Sequence, residues 1–295
     1  MYNLFMLSSS APRLDWPFFS ASLSPALHFS RASAGTRMAG TQSIETIESN
    51  KPRFDYDPAT GAFRGLLIEA QRTNYLINSN NLNVWSRAFT PTVVTGIADM
   101  MGGTSAIALT NTAINSRAEQ SVSLTIGTTY TATLYVKDGG NRYCSLRVDS
   151  GTGNTLIMSA DLLNATFTTL GTPLTPRVLS LGRGIYQVSF GFVAGAASST
   201  FRFYAVDGTN TIYGNPIIFY MAQLEAGTAA TSYISTSGSV ATRAADQLSF
   251  TIPKGVTKLR YAFDDNSSQD VAVTAGSYVV PTSLNRPWIK RIYNV

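Results

Sequence analysis

Thr129-Tyr-Thr-Ala-Thr-Leu-Tyr-Val-Lys137 is the stretch that decides the fold. Tyr130, Ala132, Leu134 and Val136 fall on one face, and Thr129, Thr131, Thr133, Tyr135 and Lys137 on the other. Side chains that change face at every residue mark an extended strand, and threonine, tyrosine and valine suit its pleated surface. The same alternation recurs in Tyr143–Val148, Ile185–Phe192, Phe201–Val206 and Ile217–Leu224. Between these runs stand Asp138-Gly-Gly-Asn141 and Asp207-Gly-Thr-Asn210, rich in residues that permit tight reversals. No window carries a helical apolar period with caps. Many short strands punctuated by turns predict an all-β protein with a jelly-roll sandwich over 81–245.

Outward from the sandwich, the pattern changes on both sides. Upstream, Phe54 and Tyr56 lead into Asp57-Pro-Ala-Thr-Gly61, and the chain returns through Phe63 and Leu66 to Ile68. Proline presets φ and glycine supplies a positive φ, so residues 28–80 are expected to form a small region built on a β-hairpin. Downstream, 246–295 reads as a lobe of paired hairpins that is too short to bury its own apolar residues, Ile252, Leu259, Phe263, Val273, Val279 and Trp288. It is expected to pack on the sandwich or on a neighbouring chain, which predicts a homo-oligomer. Residues 1–27 are broken by prolines at 12, 17 and 25 and carry Phe5, Trp16, Phe18 and Phe19. Large aromatics in a segment without a strand pattern suggest an attachment segment that docks on another surface.

Charge and cysteine usage exclude several function classes. Hydrophobic residues make up 44% of the 295, but charged residues only 13%, about half the ordinary share. The surface must therefore be covered by Ser, Thr, Asn, Gly and Tyr, a composition common in adhesins. The net charge is +5, with basic residues dispersed and Lys290-Arg291 the nearest approach to a run. Nucleic-acid binding needs a concentrated patch, so no nucleic acid is expected as a partner. A dispersed positive field suits an acidic polysaccharide or an acidic protein surface. The single Cys144 rules out an internal disulfide, and its phase with Leu146 and Val148 makes it a core residue. No apolar run reaches membrane length, and Met1–Leu7 lacks the basic leader of a signal peptide.

Several long motifs resemble those of one broad group of proteins. They are PRFDYDPATGAFRGLLIEAQRTNYL (Pro52 to Leu76), Asn80-Asn-Leu-Asn-Val-Trp85, Met221-Ala-Gln-Leu-Glu-Ala-Gly227, Thr231-Ser-Tyr-Ile-Ser-Thr236 and Thr242-Arg-Ala-Ala-Asp246. Leu259-Arg-Tyr-Ala-Phe-Asp-Asp265 and Leu284-Asn-Arg-Pro-Trp-Ile-Lys-Arg291 complete the set. Together they resemble bacteriophage virion proteins of the head spike fibre, head decoration and tail fibre group, over roughly 28–295. The resemblance implies a carbohydrate-binding-module-like sandwich, a place in the virion beside other virion proteins, threefold assembly, and contact with host surface polysaccharide. It carries over no ligand-binding residue.

The residues themselves leave three readings open. One is a fibre, spike or decoration that contacts glycan. A second is a structural protein that cements capsid or tail subunits, and the third is a capsule depolymerase. Against the enzyme stand the sole histidine, His28, which has no orienting partner in any motif, and the absence of a G-x-S-x-G elbow. Glycoside hydrolysis needs two facing carboxylates, whereas Asp57, Asp138, Asp149, Asp207, Asp264 and Asp265 fall in predicted turns. No catalytic residue and no cofactor are expected. Asp55 and Asp57 mimic the start of a calcium loop, but Thr60 and Leu66 occupy the positions of its glycine and bidentate glutamate, so no metal ligand is assigned. Outward phase along the strands selects Tyr135, Tyr143, Arg147, Gln187, Arg202 and Tyr204 as a glycan-contacting face. The same face would serve equally to pack against another subunit. Trp16, Trp85 and Trp288 read as packing anchors.

Overall fold

A computed structural model describes residues 12–19, 22–207, 209 and 211–295. Two six-stranded antiparallel sheets lie face to face. The front sheet runs Leu174–Ser180, Ile185–Val193, Thr129–Asp138, Ile217–Ala226, Ala106–Thr110, Thr92–Ile97. The back sheet runs Thr166–Leu170, Thr155–Asp161, Tyr143–Asp149, Ser198–Tyr204, Arg117–Ser123, Ser86–Ala88. The chain repeatedly crosses between them, as in a jelly roll.

The alternation in Thr129–Asp138 explains the core. That strand pairs on both sides, with Leu134 opposite Val188 and Ala222. Its inward residues Tyr130, Ala132, Leu134 and Val136 meet Cys144, Leu146 and Val148 from the back sheet, all buried. Trp85, following a short 3-10 turn at Leu82–Val84, packs edge-on to Phe201 at 5.8 Å and donates its indole N–H to the Asn78 carbonyl at 3.1 Å.

The two ends of the chain form one further lobe. Its main sheet orders Ser268–Ala272, Lys258–Phe263, Trp288–Asn294, Phe63–Leu67 and Arg53–Tyr56, with Asp15–Pro17 also paired to Trp288–Asn294. A smaller sheet joins His28–Ser30, Gln247–Ile252 and Gly276–Val279. Gly65 permits a close approach of Phe63–Leu67 to Trp288–Asn294: its φ is +116°, and a Cβ there would stand 2.3 Å from the Ile289 carbonyl oxygen. Phe18, Leu27, Phe54, Leu66, Leu248, Leu259, Phe263 and Ile292 fill a core distinct from that of the sandwich.

This lobe corrects two expectations. Ile252, Leu259, Phe263 and Val273 are buried against the chain's own N-terminal segments, so they need no neighbouring chain to cover them. The region before Ser30 does pair: Trp16 packs on Phe250 with ring centroids 4.4 Å apart, and Phe18, 1% exposed, donates its N–H to the Lys290 carbonyl at 2.8 Å. Both side chains are therefore spent on the fold rather than held for docking. Phe19 stays 75% exposed, Val279 is exposed and Trp288 partly buried, while Phe5 lies outside the described residues.

The lobe and the sandwich meet at a neck. Arg72–Asn74 leads into the sandwich, Ala241–Arg243 leads out, and the two pair antiparallel.

Candidate functional site: the cleft between lobe and sandwich

Above the neck a cavity of about 430 Å³ opens between the outer face of the front sheet and the terminal lobe. That volume lies within the roughly 300–1,000 Å³ range of small-molecule sites. The sandwich wall is built by Tyr135, Gln187, Arg177, Leu179 and Leu181. The opposite wall comes from Arg37, Asp55, Tyr56, Arg64, Arg72 and Trp288, and the segment 229–233 closes the end.

Each aromatic ring in the cleft is fixed. Tyr135 accepts a 2.9 Å hydrogen bond from Gln187 Nε2 and meets Tyr233 edge-on at 6.0 Å. Burial raises the pKa of both phenols, so they remain neutral hydroxyls. The Tyr56 ring rests against Gly40, where a Cβ would stand 3.4 Å away, and meets the edge of Phe63 at 5.3 Å. Trp288 is covered on one face by the Arg64 guanidinium, 3.3 Å from the ring centroid. Its indole N–H donates to Asp55 Oδ2 at 2.6 Å, while the Met38 N–H donates to Oδ1. Burial outweighs those donors and raises the Asp55 carboxyl to about 6.

Behind the cleft lies a buried ionic junction that ties the two parts together. Asp246 is bonded by Arg31 at 3.0 Å and, on its other oxygen, by Arg53. Arg53 also reaches Glu69 at 2.9 Å and the Ser232 hydroxyl at 2.6 Å. Burial pushes the Glu69 carboxyl up, but Arg243, Arg53 and the Ser232 donors together hold it at about 2. Glu225 accepts from the Thr231 hydroxyl at 2.6 Å and from Gln223 at 2.7 Å. Every one of these residues belongs to a motif behind the virion-protein resemblance, except Arg31.

The six residues chosen by outward phase do not share one face. Tyr135 and Gln187 line the cleft on the front sheet, whereas Tyr143, Arg147, Arg202 and Tyr204 point from the back sheet, on the far side of the sandwich. There Arg147 pairs with Asp149 at 2.8 Å, and Arg202 with Glu119 at 2.7 Å and with Asp149. Tyr204 is 5% exposed, and Tyr143 stacks on Tyr213 at 5.1 Å with Arg142 over its ring. These contacts occupy most of the groups that would receive a ligand. Outward phase identifies a face but not a sheet, which is why the two sets merged. The lobe residues of the cleft, Arg37 apart, lie in motifs visible in the sequence, but nothing local places them on one wall, because that wall requires strands from distant segments.

The other candidates resolve simply. Asp57 Oδ1 accepts from the backbone N–H groups of Ala59 and Thr60 and from the Thr60 hydroxyl, capping the hairpin turn. His28 is exposed on its edge strand, and Cys144 sits in the sandwich core, its thiol pushed up to about 12 by burial.

No family model and no curated protein matches the chain. Among solved structures it is similar to the enzymatically active domain of bacteriophage CBA120 tailspike protein 4, at 14% identity and a TM-score of 0.32. That match covers 52% of this chain and 21% of the tailspike chain's length. It is also similar to the CBM22-1 xylan-binding domain of Paenibacillus barcinonensis Xyn10C, at 12% identity and TM-score 0.34, covering 55% of this chain and 99% of that one. A third likeness is to the CBM22-1–GH10 modules of Clostridium thermocellum xylanase 10B, crystallised with xylohexaose, at 14% identity and TM-score 0.33. It covers 57% of this chain and 30% of that one.

Proposed function

We propose that the chain is a non-catalytic component of a phage particle, a fibre, spike or decoration, that holds host surface carbohydrate in the cleft between its lobe and its sandwich. The observation that carries this reading is the cleft itself, where aromatic rings and forked polar groups converge in one cavity of sugar-sized dimensions. Sugars present apolar ring faces edged by hydroxyls, and a site for them needs that combination. Gln187 contributes an amide with capacity left after its bond to Tyr135, and Tyr56 offers a ring fixed from behind. The virion location and threefold assembly rest on the sequence resemblance.

The test is binding of the full chain to polysaccharides purified from candidate host envelopes, followed by affinity electrophoresis, with reducing ends counted in parallel. Retention without new reducing ends is expected. Tyr56→Ala should weaken retention by roughly 0.5–1.5 kcal/mol, the scale of one aromatic contact. Retention unchanged in Tyr56→Ala and Gln187→Ala would move the site out of the cleft. Steady release of oligosaccharide would make the protein a depolymerase.

A further inference from the structure

The charges in the cleft are unevenly committed. Arg37 is held by Glu45 at 2.9 Å and Arg64 by Asp264 at 2.6 Å. The two cleft carboxylates are engaged as well, Glu69 with Arg53 and Asp55 with the Trp288 indole. Two guanidinium groups remain. Arg177 has no side-chain hydrogen bond or ion pair among the described residues. Arg72 donates to the adjacent Gln71 carbonyl at 3.0 Å and stands 3.7 Å from a Glu225 already bonded to Thr231, which leaves its buried Nε without a hydrogen bond.

The backbone is shaped around both groups. Between Leu174 and Arg177 the edge strand of the front sheet takes an extra residue against its neighbour, for Leu174 pairs with Gly191 and Arg177 with Ser189. Thr175 in that bulge has φ +42°, a conformation that β-branched residues rarely accept. A bulge turns later side chains to a new phase, and here the phase sets Arg177, Leu179 and Leu181 into the cleft wall. Across the cleft, Gly227 lies beneath Arg72, where a Cβ would stand 3.0 Å from Nη2.

We propose that the cleft selects an acidic saccharide of the uronate class, with its carboxylate received by the guanidinium groups of Arg177 and Arg72. This rests on the cleft being the carbohydrate site proposed above, and it adds the class of sugar. Planar guanidinium forks match carboxylates with paired charge-assisted hydrogen bonds, a preference that a neutral sugar cannot exploit.

The experiment compares polygalacturonate with the same polymer after its carboxyls are reduced to neutral hydroxymethyl groups, and with polyglutamate. The full chain is titrated against each by calorimetry at physiological ionic strength. Binding to polygalacturonate at least ten-fold tighter than to the reduced polymer is expected. Arg177→Gln should remove most of that preference without changing the melting temperature, Arg72→Gln should remove it while lowering the melting temperature because the buried Glu225 loses its cation, and Lys254→Gln, an exposed cation outside the cleft, should leave it intact. Equal binding of both galacturonan forms, weakened in Tyr56→Ala, overturns the acidic preference while the carbohydrate cleft stands. A preference that survives Arg177→Gln and falls in Lys254→Gln reports only the overall field and overturns the proposal. Arg177-dependent binding of polyglutamate as tight as that of polygalacturonate replaces the sugar with an acidic polypeptide. Binding of neither galacturonan form removes the uronate assignment.

Discussion

The sandwich and the terminal lobe are both β-structures around aromatic cores, but they are assembled over very different distances along the chain. The strands of the sandwich lie between Ser86 and Ala226. In the lobe, Asp15–Pro17 pairs with Trp288–Asn294, and the Leu14 N–H reaches the Asn294 side chain at 2.7 Å, 280 residues away. The sandwich can therefore form from contiguous chain, whereas the lobe exists only once both ends have met. Closing so long a loop costs conformational entropy, and the buried junction and the lobe's apolar core offset it.

The largest expected effect tests that dependence directly. Deleting residues 1–27 removes Trp16, Phe18 and Leu27 from the lobe core, and loss of one such large side chain costs about 3–5 kcal/mol. The lobe should unfold while the sandwich keeps its own melting transition. A truncated protein with hydrogen-exchange protection unchanged across 247–295 contradicts this account.

Asp246→Ala should come next. It leaves Arg31 and Arg53 buried without their shared carboxylate, a loss of about 3–5 kcal/mol. Denaturant unfolding should show the lobe transition moving earlier, with Phe203→Ala shifting only that of the sandwich. If both variants shift one common transition, lobe and sandwich fold as a single cooperative unit and the contrast between them disappears.

Smaller still is the response to pH, which acts on the lobe from two sides. Glu69 is held at about 2, below the roughly 4.3 of a free glutamate, so the unfolded chain takes up this proton first. Its contribution is complete above about pH 5 and is lost as pH falls towards 2. Asp55, raised to about 6 from roughly 3.9, works in the other direction. Its contribution is complete below about pH 4 and is lost as pH rises through 6. Lobe stability should therefore peak near pH 4–5, and Asp55→Asn should flatten the upper limb of the melting curve. An unchanged upper limb in that variant would assign the decline to another group.

The contrast also explains what could be read from the sequence. Alternation in Thr129–Lys137 was enough to assign inward and outward faces, because each sandwich strand buries one face against a sheet built nearby. The hairpin around Asp57 was legible for the same local reason, since its turn residues bond to one another. Trp288–Asn294 gave no such warning. It is a central strand whose partners lie in three distant segments, so its mixed burial follows no simple period. Half of the cleft escaped notice because Tyr135 and Gln187 are set by local phase, but Tyr56, Arg64 and Arg72 reach it only through the lobe. The long motifs Pro52–Leu76, Met221–Gly227 and Thr242–Asp246 were informative in another way. Arg53, Glu69, Arg243 and Asp246 converge on the buried junction and Glu225 faces Arg72, while Tyr56, Arg64 and Arg72 line the cleft, so those motifs record how the parts are joined together with one wall of the cleft.

The paired neck has a consequence for how such a molecule can change over generations. Arg72–Asn74 and Ala241–Arg243 run side by side, so the sandwich enters and leaves the lobe across a single strand spacing, about 4.8 Å. Anything folded whose own ends lie that close together could be spliced between them without disturbing the lobe. The sandwich is in this sense a cassette, replaceable as a unit, while the junction beneath it stays as the socket.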